Sequence, residues 1–65
     1  MNMKRTKLEG IIRNASRFKN LHLAKSYAER TIKASGILLG DDGRYWVLPL
    51  GQAELLHRHG YEYAE

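Results

Sequence analysis

Two histidines near the C-terminus, His57 and His59, come nearest in type and spacing to a metal-binding pair. Residues two apart on an α-helix point about 200° away from each other, because each residue turns the helix by roughly 100°. On the helix predicted below, the two rings cannot share one ion. If the helix ended earlier and the segment were extended, both rings would face one side, with Glu62 or His22 as further ligands. We favour the helical interpretation and expect no metal site.

Two adjacent carboxylates, Asp41 and Asp42, lie between glycines in the segment GDDG at residues 40–43. Short acidic side chains accept hydrogen bonds from nearby backbone groups in turns. A calcium loop instead spreads its oxygen ligands over about twelve residues and closes with a glutamate, which this segment does not do. Glycine patterns that cradle phosphates are also missing from the sequence. We therefore interpret the two aspartates as turn residues and expect no cofactor.

The hydroxyl side chains lack the neighbours that activate a nucleophile. Ser16, Ser26 and Ser35 have no adjacent base, and no carboxylate partner for a histidine is evident. The chain also has no cysteine, which excludes zinc ribbons, redox motifs and disulfide frameworks. The sequence therefore predicts a binding protein and not an enzyme.

Charge is divided unevenly along the chain. Up to Ser35 there are nine lysines and arginines against two glutamates, whereas from Gly36 onward two arginines face five acidic residues. The formal net charge is +4. Such asymmetry can steer an acidic partner onto one side of the molecule.

The elements that must position these side chains begin with two helices. Thr6-Lys7-Leu8-Glu9 matches a capping box, and the apolar residues that follow have helical spacing, which predicts a helix over residues 7–19 after a flexible basic segment at residues 1–5. Asn20 is a suitable N-cap for a second helix over residues 21–35, with Gly36 as its stop. One continuous bent helix is the alternative.

A β-hairpin and a third helix complete the predicted fold. Apolar and aromatic runs flank the turn at Asp41-Asp42-Gly43 and predict a hairpin over residues 37–48, with its two faces covered by the helices and by the C-terminal segment. Pro49 ends the second strand, and a short helix follows over residues 52–59, with Gly60 as its C′ residue and Tyr61 packing back on Leu56. The tail then pairs as a strand or simply packs. The fold class is α+β, in one small domain over residues 1–65.

The basic half of the chain supplies the candidate binding residues. On helix 1, the sequence places the cations on one side beside the apolar stripe, and the hairpin adds an arginine next to an aromatic residue, as in interface hot spots. These side chains either bind a protein, or neutralise phosphates of a nucleic acid, or form a solvated face. The candidates are Lys4, Arg5, Lys7, Arg13 and Arg17 on the basic face, and Arg44 and Tyr45 on the hairpin.

The passage GILLGDDGRYWVLPLGQAELLHRHGYEYA, residues 36–64, follows an amphipathic helix. In its size and in this sequence pattern, the chain resembles the anti-CRISPR proteins of phages and mobile elements. The resemblance covers about half of the chain and carries over no functional residue. It implies a monomeric or weakly dimeric inhibitor that docks on a Cas protein, of a type I surveillance complex or its nuclease. Many such inhibitors are acidic DNA mimics, whereas this chain is basic, so DNA mimicry is not expected.

Our first hypothesis is therefore a phage-type inhibitor that blocks target DNA binding or cleavage in the cytoplasm of a bacterial host. No secretory signal or membrane span is apparent in the sequence, in accord with that location. The alternative is a small nucleic-acid-binding regulator that uses the basic helical half. A third class, an antitoxin or assembly accessory, would be stable only with its partner.

Overall fold

The computed structural model describes residues 3–31 and 34–64, and the side chains of residues 7–30 and 34–64. Within these residues, three helices and four strands follow one another as α1 (Met3–Asn14), β1 (Ser16–Phe18), α2 (Leu21–Thr31), β2 (Ser35–Leu39), β3 (Tyr45–Pro49), α3 (Leu50–Arg58) and β4 (Glu62–Tyr63). The strands form one antiparallel sheet in the order β1-β3-β2-β4. The predicted α+β class is confirmed.

The predicted hairpin is present as β2 and β3. Leu38 pairs with Trp46 at its centre, and the Gly40 N–H donates to the Arg44 carbonyl at 2.8 Å where the turn begins. Gly43 has a φ of 80°, which a side-chain-bearing residue adopts only at a cost, so the aspartate-glycine sequence fits the turn. The apolar runs on either side are buried because both faces of the sheet are covered.

The prediction of a first helix over residues 7–19 is wrong at both ends. The helix begins at Met3, so residues 3–5 are helical and not a flexible segment, while Met1 and Asn2 lie outside the described residues. It ends at Asn14, and the next residues form β1 against β3. Phe18 therefore packs in a different cluster from Ile11, although helical spacing places both on one stripe. The intervening strand also excludes a continuous bent helix.

The second helix begins as predicted and ends earlier. The Leu23 N–H donates to Asn20 Oδ1 at 2.9 Å, which confirms Asn20 as the N-cap. The helix is described as far as Thr31, Ile32 and Lys33 lie outside the described residues, and the predicted stop at Gly36 is wrong because that residue lies inside β2. A Cβ at position 36 would lie 2.7 Å from the Cβ of Ala53. Glycine is therefore required here for close packing of α3 on the sheet, and not for a helix end.

Helix α3 starts two residues earlier than predicted and has the predicted C-terminal cap. It follows Pro49 directly, without the expected gap before residue 52. Gly60 has a φ of 110°, its N–H donates to the His57 carbonyl at 3.1 Å, and the Tyr61 N–H donates to the Leu56 carbonyl at 3.2 Å. These two bonds are those of a Schellman motif. The chain then turns back, and β4 pairs with β2.

The two faces of the sheet carry different helices. One cluster joins Ile11 of α1, and Ala15 just after that helix, with Ala53 and Leu56 of α3 over the indole of Trp46. On the other face, α2 packs through its own cluster, whose buried members are Ala24, Ile37 and Val47. The prediction that both N-terminal helices share one face is therefore wrong, because β1 separates them and α1 lies with α3.

Candidate binding surface

The predicted basic residues lie in different elements. Lys7 and Arg13 are exposed on α1, but they are six residues apart and so project about 120° away from each other. Lys7 borders a groove that it forms with Leu8, Leu55 and His59, on the side of α3. The side chains of Lys4 and Arg5 lie outside the described residues. The single basic face predicted for helix 1 is therefore not formed by Lys7 and Arg13.

Arg17 lies in β1 and is engaged within the fold. Its Nη2 donates to the carbonyl of Ile12 at 2.6 Å, and its Nη1 donates to the carbonyl of Ala15 at 3.2 Å. The Ile12 carbonyl belongs to the last turn of α1, whose acceptors have no partner within the helix, and a cation there also suits the helix dipole. The Arg17 side chain thus caps α1.

The same guanidinium joins the cap to the hairpin. Its central carbon lies 5.0 Å from the ring centroid of Trp46, within cation–π distance. Its Nε lies 3.4 Å from Asp42 Oδ2, and the side chains of Arg17 and Asp42 are 28% and 39% exposed. The contacts of Arg17 therefore hold α1, β1 and the hairpin turn together.

Asp42 is the acceptor at the centre of this turn. Its Oδ1 accepts hydrogen bonds from the backbone N–H of Arg44 and from Nε1 of Trp46, both at 3.0 Å. Desolvation by burial acts to raise the pKa of Asp42, but these two hydrogen bonds, with that of its own N–H and the charge of Arg17, outweigh it and lower the pKa below its ordinary value. Asp42 is therefore an ionised turn residue, consistent with its interpretation from the sequence.

Asp41, the other aspartate of the turn, contacts the C-terminal segment. The hydroxyl of Tyr61 donates to Asp41 Oδ2 at 3.3 Å, and the ring of Tyr61 lies 5.3 Å from that of Trp46. Burial, together with the charge and hydrogen bond of Asp41 and the charge of Asp42, raises the pKa of Tyr61 above its ordinary value. Both aspartates therefore act on the packing around Trp46.

The hairpin candidates differ in exposure. Arg44 is exposed at the end of the turn, whereas Tyr45 is half-buried and packs against the cluster under α2. Phe18 pairs with Tyr45, so the exposed residues that flank this pair, Lys19 and Arg44, lie at the same end of the sheet. Lys19 was not among the candidates from the sequence, because a helix over residues 7–19 conceals its position at the end of β1, beside the hairpin.

Arg13 completes this cationic group. It is exposed and directly follows Ile12, the residue whose carbonyl binds Arg17. We call the exposed residues Arg13, Lys19 and Arg44 the basic rim: Arg13 lies before β1, Lys19 follows β1, and Arg44 directly precedes β3. Strand β1 lies between Arg13 and Lys19 in the chain, and its three-residue length gives a weak signal in the sequence.

The two histidines lie at the C-terminal end of α3. Nδ1 of His57 lies 2.8 Å from the carbonyl oxygen of Tyr61, to which it donates, and its ring lies 4.6 Å from that of Tyr63. His59 is the C-cap residue of α3. Within residues 3–31 and 34–64, no three histidine, cysteine or acidic side chains are grouped so that they could hold a metal ion.

The described residues form a small α+β domain with a four-stranded sheet, in which exposed cations adjoin β1 and β3. Comparisons with protein-family models, with curated proteins and with solved structures found no match to the chain. None of the helices in the described part of the chain is long and apolar enough to cross a membrane.

Proposed function

We propose that the protein is a non-enzymatic binding protein that inhibits a CRISPR system by docking on a Cas protein of a type I surveillance complex. The observation that supports this most is the basic rim, three exposed cations that adjoin β1 and β3 in the chain, where the fold holds the side chains of Arg17 and Trp46 in place. Fixed neighbours reduce the entropy that a surface loses on binding, and arginine is enriched at interface hot spots. Docking there blocks target DNA binding or cleavage without a cofactor.

A nucleic-acid-binding regulator is the second candidate. The net charge of +4 and the exposed Lys7 and Arg13 of α1 are compatible with contacts to phosphates. Such binding weakens steeply as salt rises, because each neutralised phosphate releases a counterion. Binding that falls steeply with salt, and is lost after nuclease treatment, therefore distinguishes the regulator from the inhibitor.

The test is an affinity capture from a bacterial lysate that contains a type I CRISPR system, with and without nuclease. Retention of a stoichiometric Cas protein after nuclease supports the proposal, whereas loss of all retained material favours the regulator. The purified chain should also reduce target DNA cleavage by the isolated surveillance complex. Its mass in solution tests the expected monomer or weak homodimer.

The variants follow from the contacts. Arg13→Glu reverses an exposed charge of the basic rim and should weaken capture without unfolding the domain. Arg30→Glu is the matched control, because it reverses an exposed charge near the end of α2, which begins beside β1 and runs away from the rim. Arg17→Glu is unsuitable for this purpose, since it also breaks the cap on α1. Equal capture by the Arg13 and Arg30 variants would contradict the use of the rim.

A further inference from the structure

We propose that the outer edge of β1 accepts an extended acidic segment of a partner protein as an additional strand. This inference rests on the proposed function as a binding protein and names the chemistry of the partner. Strand β1 is at one end of the strand order, and within residues 3–31 and 34–64 it pairs with β3 alone. An edge strand presents backbone donors and acceptors to a neighbouring chain.

The pairing determines which groups of β3 point towards β1. The Arg44 carbonyl accepts the N–H of Gly40, so the backbone groups of Arg44 point towards β2. Backbone groups alternate in direction along a strand, so those of Tyr45 and Val47 point the other way, towards β1. Strand β3 therefore offers its hydrogen bonds to β1 at these two positions.

The partners of Tyr45 and Val47 in β1 are Phe18 and Ser16. Since the backbone groups of these two residues are directed at β3, alternation directs the N–H and carbonyl of the residue between them, Arg17, outward. One donor and one acceptor are thus presented at the edge. An incoming peptide supplies the complementary pair of groups from a single residue.

The side chain of Arg17 leaves this edge uncovered. Its guanidinium lies over the face of Trp46 and donates to carbonyls of Ile12 and Ala15, so it is folded onto one face of the sheet. Natural proteins often protect an edge with a proline or a bulge, and neither is present within Ser16–Phe18.

The charge beside the edge indicates which kind of partner fits it. The basic rim lies beside β1, and the neighbouring acid Asp42 is already in contact with Arg17. A second copy of the chain is disfavoured, because pairing β1 with β1 brings two basic rims together. The sugar-phosphate backbone of DNA offers acceptors only, so it has no donor for the outward carbonyl of Arg17. A peptide rich in glutamate or aspartate satisfies both the edge and the rim.

The probe for this inference is a capped peptide of alternating glutamate and valine, about seven residues long, because main-chain pairing tolerates many sequences. Titration followed by amide chemical shifts should perturb Ser16 to Lys19, and exchange of the Arg17 amide should slow at saturation. No binding, perturbation centred elsewhere, or unchanged exchange of that amide overturns the proposal. Displacement by a short oligodeoxythymidylate that shifts the same amides overturns it in favour of nucleic acid.

Two altered chains test separately the backbone hydrogen bond at the edge and the charge of the basic rim. Chemical synthesis with an N-methylated Arg17 keeps the side chain and removes the outward donor, so peptide binding should be lost. Lys19→Glu should weaken binding about fivefold, and the control Arg30→Glu much less. The exchange measurement on the unmodified chain decides the matter if the N-methylated chain does not fold. If that chain folds and still captures the Cas protein at full strength, the edge proposal fails while the proposed function stands.

Discussion

The guanidinium of Arg17 lies 5.0 Å from the ring centroid of Trp46, and the same side chain donates to the Ile12 carbonyl at 2.6 Å. One side chain thus connects the end of α1 to the indole at the centre of the core. A helix cap and a core contact are both lost when this side chain is removed.

Arg17→Ala should lower the free energy of unfolding by about 2 kcal/mol, since it removes two hydrogen bonds to carbonyls and a cation–π contact. Arg17→Lys should recover only part of the loss, because an ammonium lacks the planar fork that reaches both acceptors. Urea unfolding measures the change. Arg13→Ala is the control and should stay within about 0.5 kcal/mol of the parent chain. Equal effects at the two positions would show that the Arg17 contacts contribute nothing.

Gly40→Ala should be among the most damaging single changes in the chain. A Cβ at this position would lie 2.2 Å from Cε2 of Trp46, and the indole is 1% exposed, so it has little room to move. We expect a loss of about 3 kcal/mol or failure to fold. Thermal and urea unfolding are the measurements.

Gly10→Ala is the matched change with the opposite expected sign. Gly10 is inside α1, and nothing lies within 4 Å of the Cβ that alanine would add. Because alanine is the better helix former, the variant should gain about 0.5–1 kcal/mol in urea unfolding. Destabilisation by this change would contradict the helical assignment of Gly10.

Acid should weaken the fold through Asp42. Its pKa is lowered in the folded protein from the ordinary value of 3.8, so its contribution to stability is present above that value and is lost as pH falls through the lower folded pKa. The urea midpoint should therefore decline between about pH 5 and pH 2, and Asp42→Asn should show a shallower decline. Glu54→Gln, an exposed change in α3, is the control. An identical pH dependence for Asp42→Asn and the parent would refute the role of this carboxylate.

Alkali should act through Tyr61. Its pKa is raised from 10.0, so the folded state favours the neutral phenol, and this contribution is present below about pH 10 and lost as pH rises through the folded pKa. Tyr61→Phe cannot ionise and should lose less stability between about pH 9 and pH 12. Absorbance titration of the phenol, compared with the unfolding curves, provides the check. The idea fails if Tyr61→Phe is as sensitive to alkali as the parent chain.

The parts of the fold that local patterns encode could be predicted from the sequence. Asn20 as a helix start, Gly43 in the turn and Gly60 as the cap of α3 each need only their neighbours in the chain. Strand β1 could not be predicted, because its apolar residue Phe18 continues the helical spacing of α1. In addition, Val47, which pairs with Ser16 in the sheet, is far away in sequence. The role of Gly36 was predicted wrongly for a similar reason, since glycine is needed there because of the close contact with Ala53 on another element.

The candidate surface was predictable in part. Composition and charge identify Arg13 and Arg44 as exposed cations, as the structure describes them. They do not reveal that the Arg17 side chain packs against the fold, because residue type alone does not distinguish an arginine that caps a helix from one that binds a partner. Nor do they bring Lys19 beside Arg44, which requires the register of β1 on β3.

The order in which the strands pair has a kinetic consequence. Strands β2 and β3 are joined by a short turn and α3 follows directly, so their contacts close small loops. Joining β1 to β3 instead closes a loop that contains all of α2 and β2, at a higher entropic cost. The N-terminal third should therefore dock after the folding barrier has been crossed, and weakening its contacts should mainly hasten unfolding and leave the refolding rate nearly unchanged.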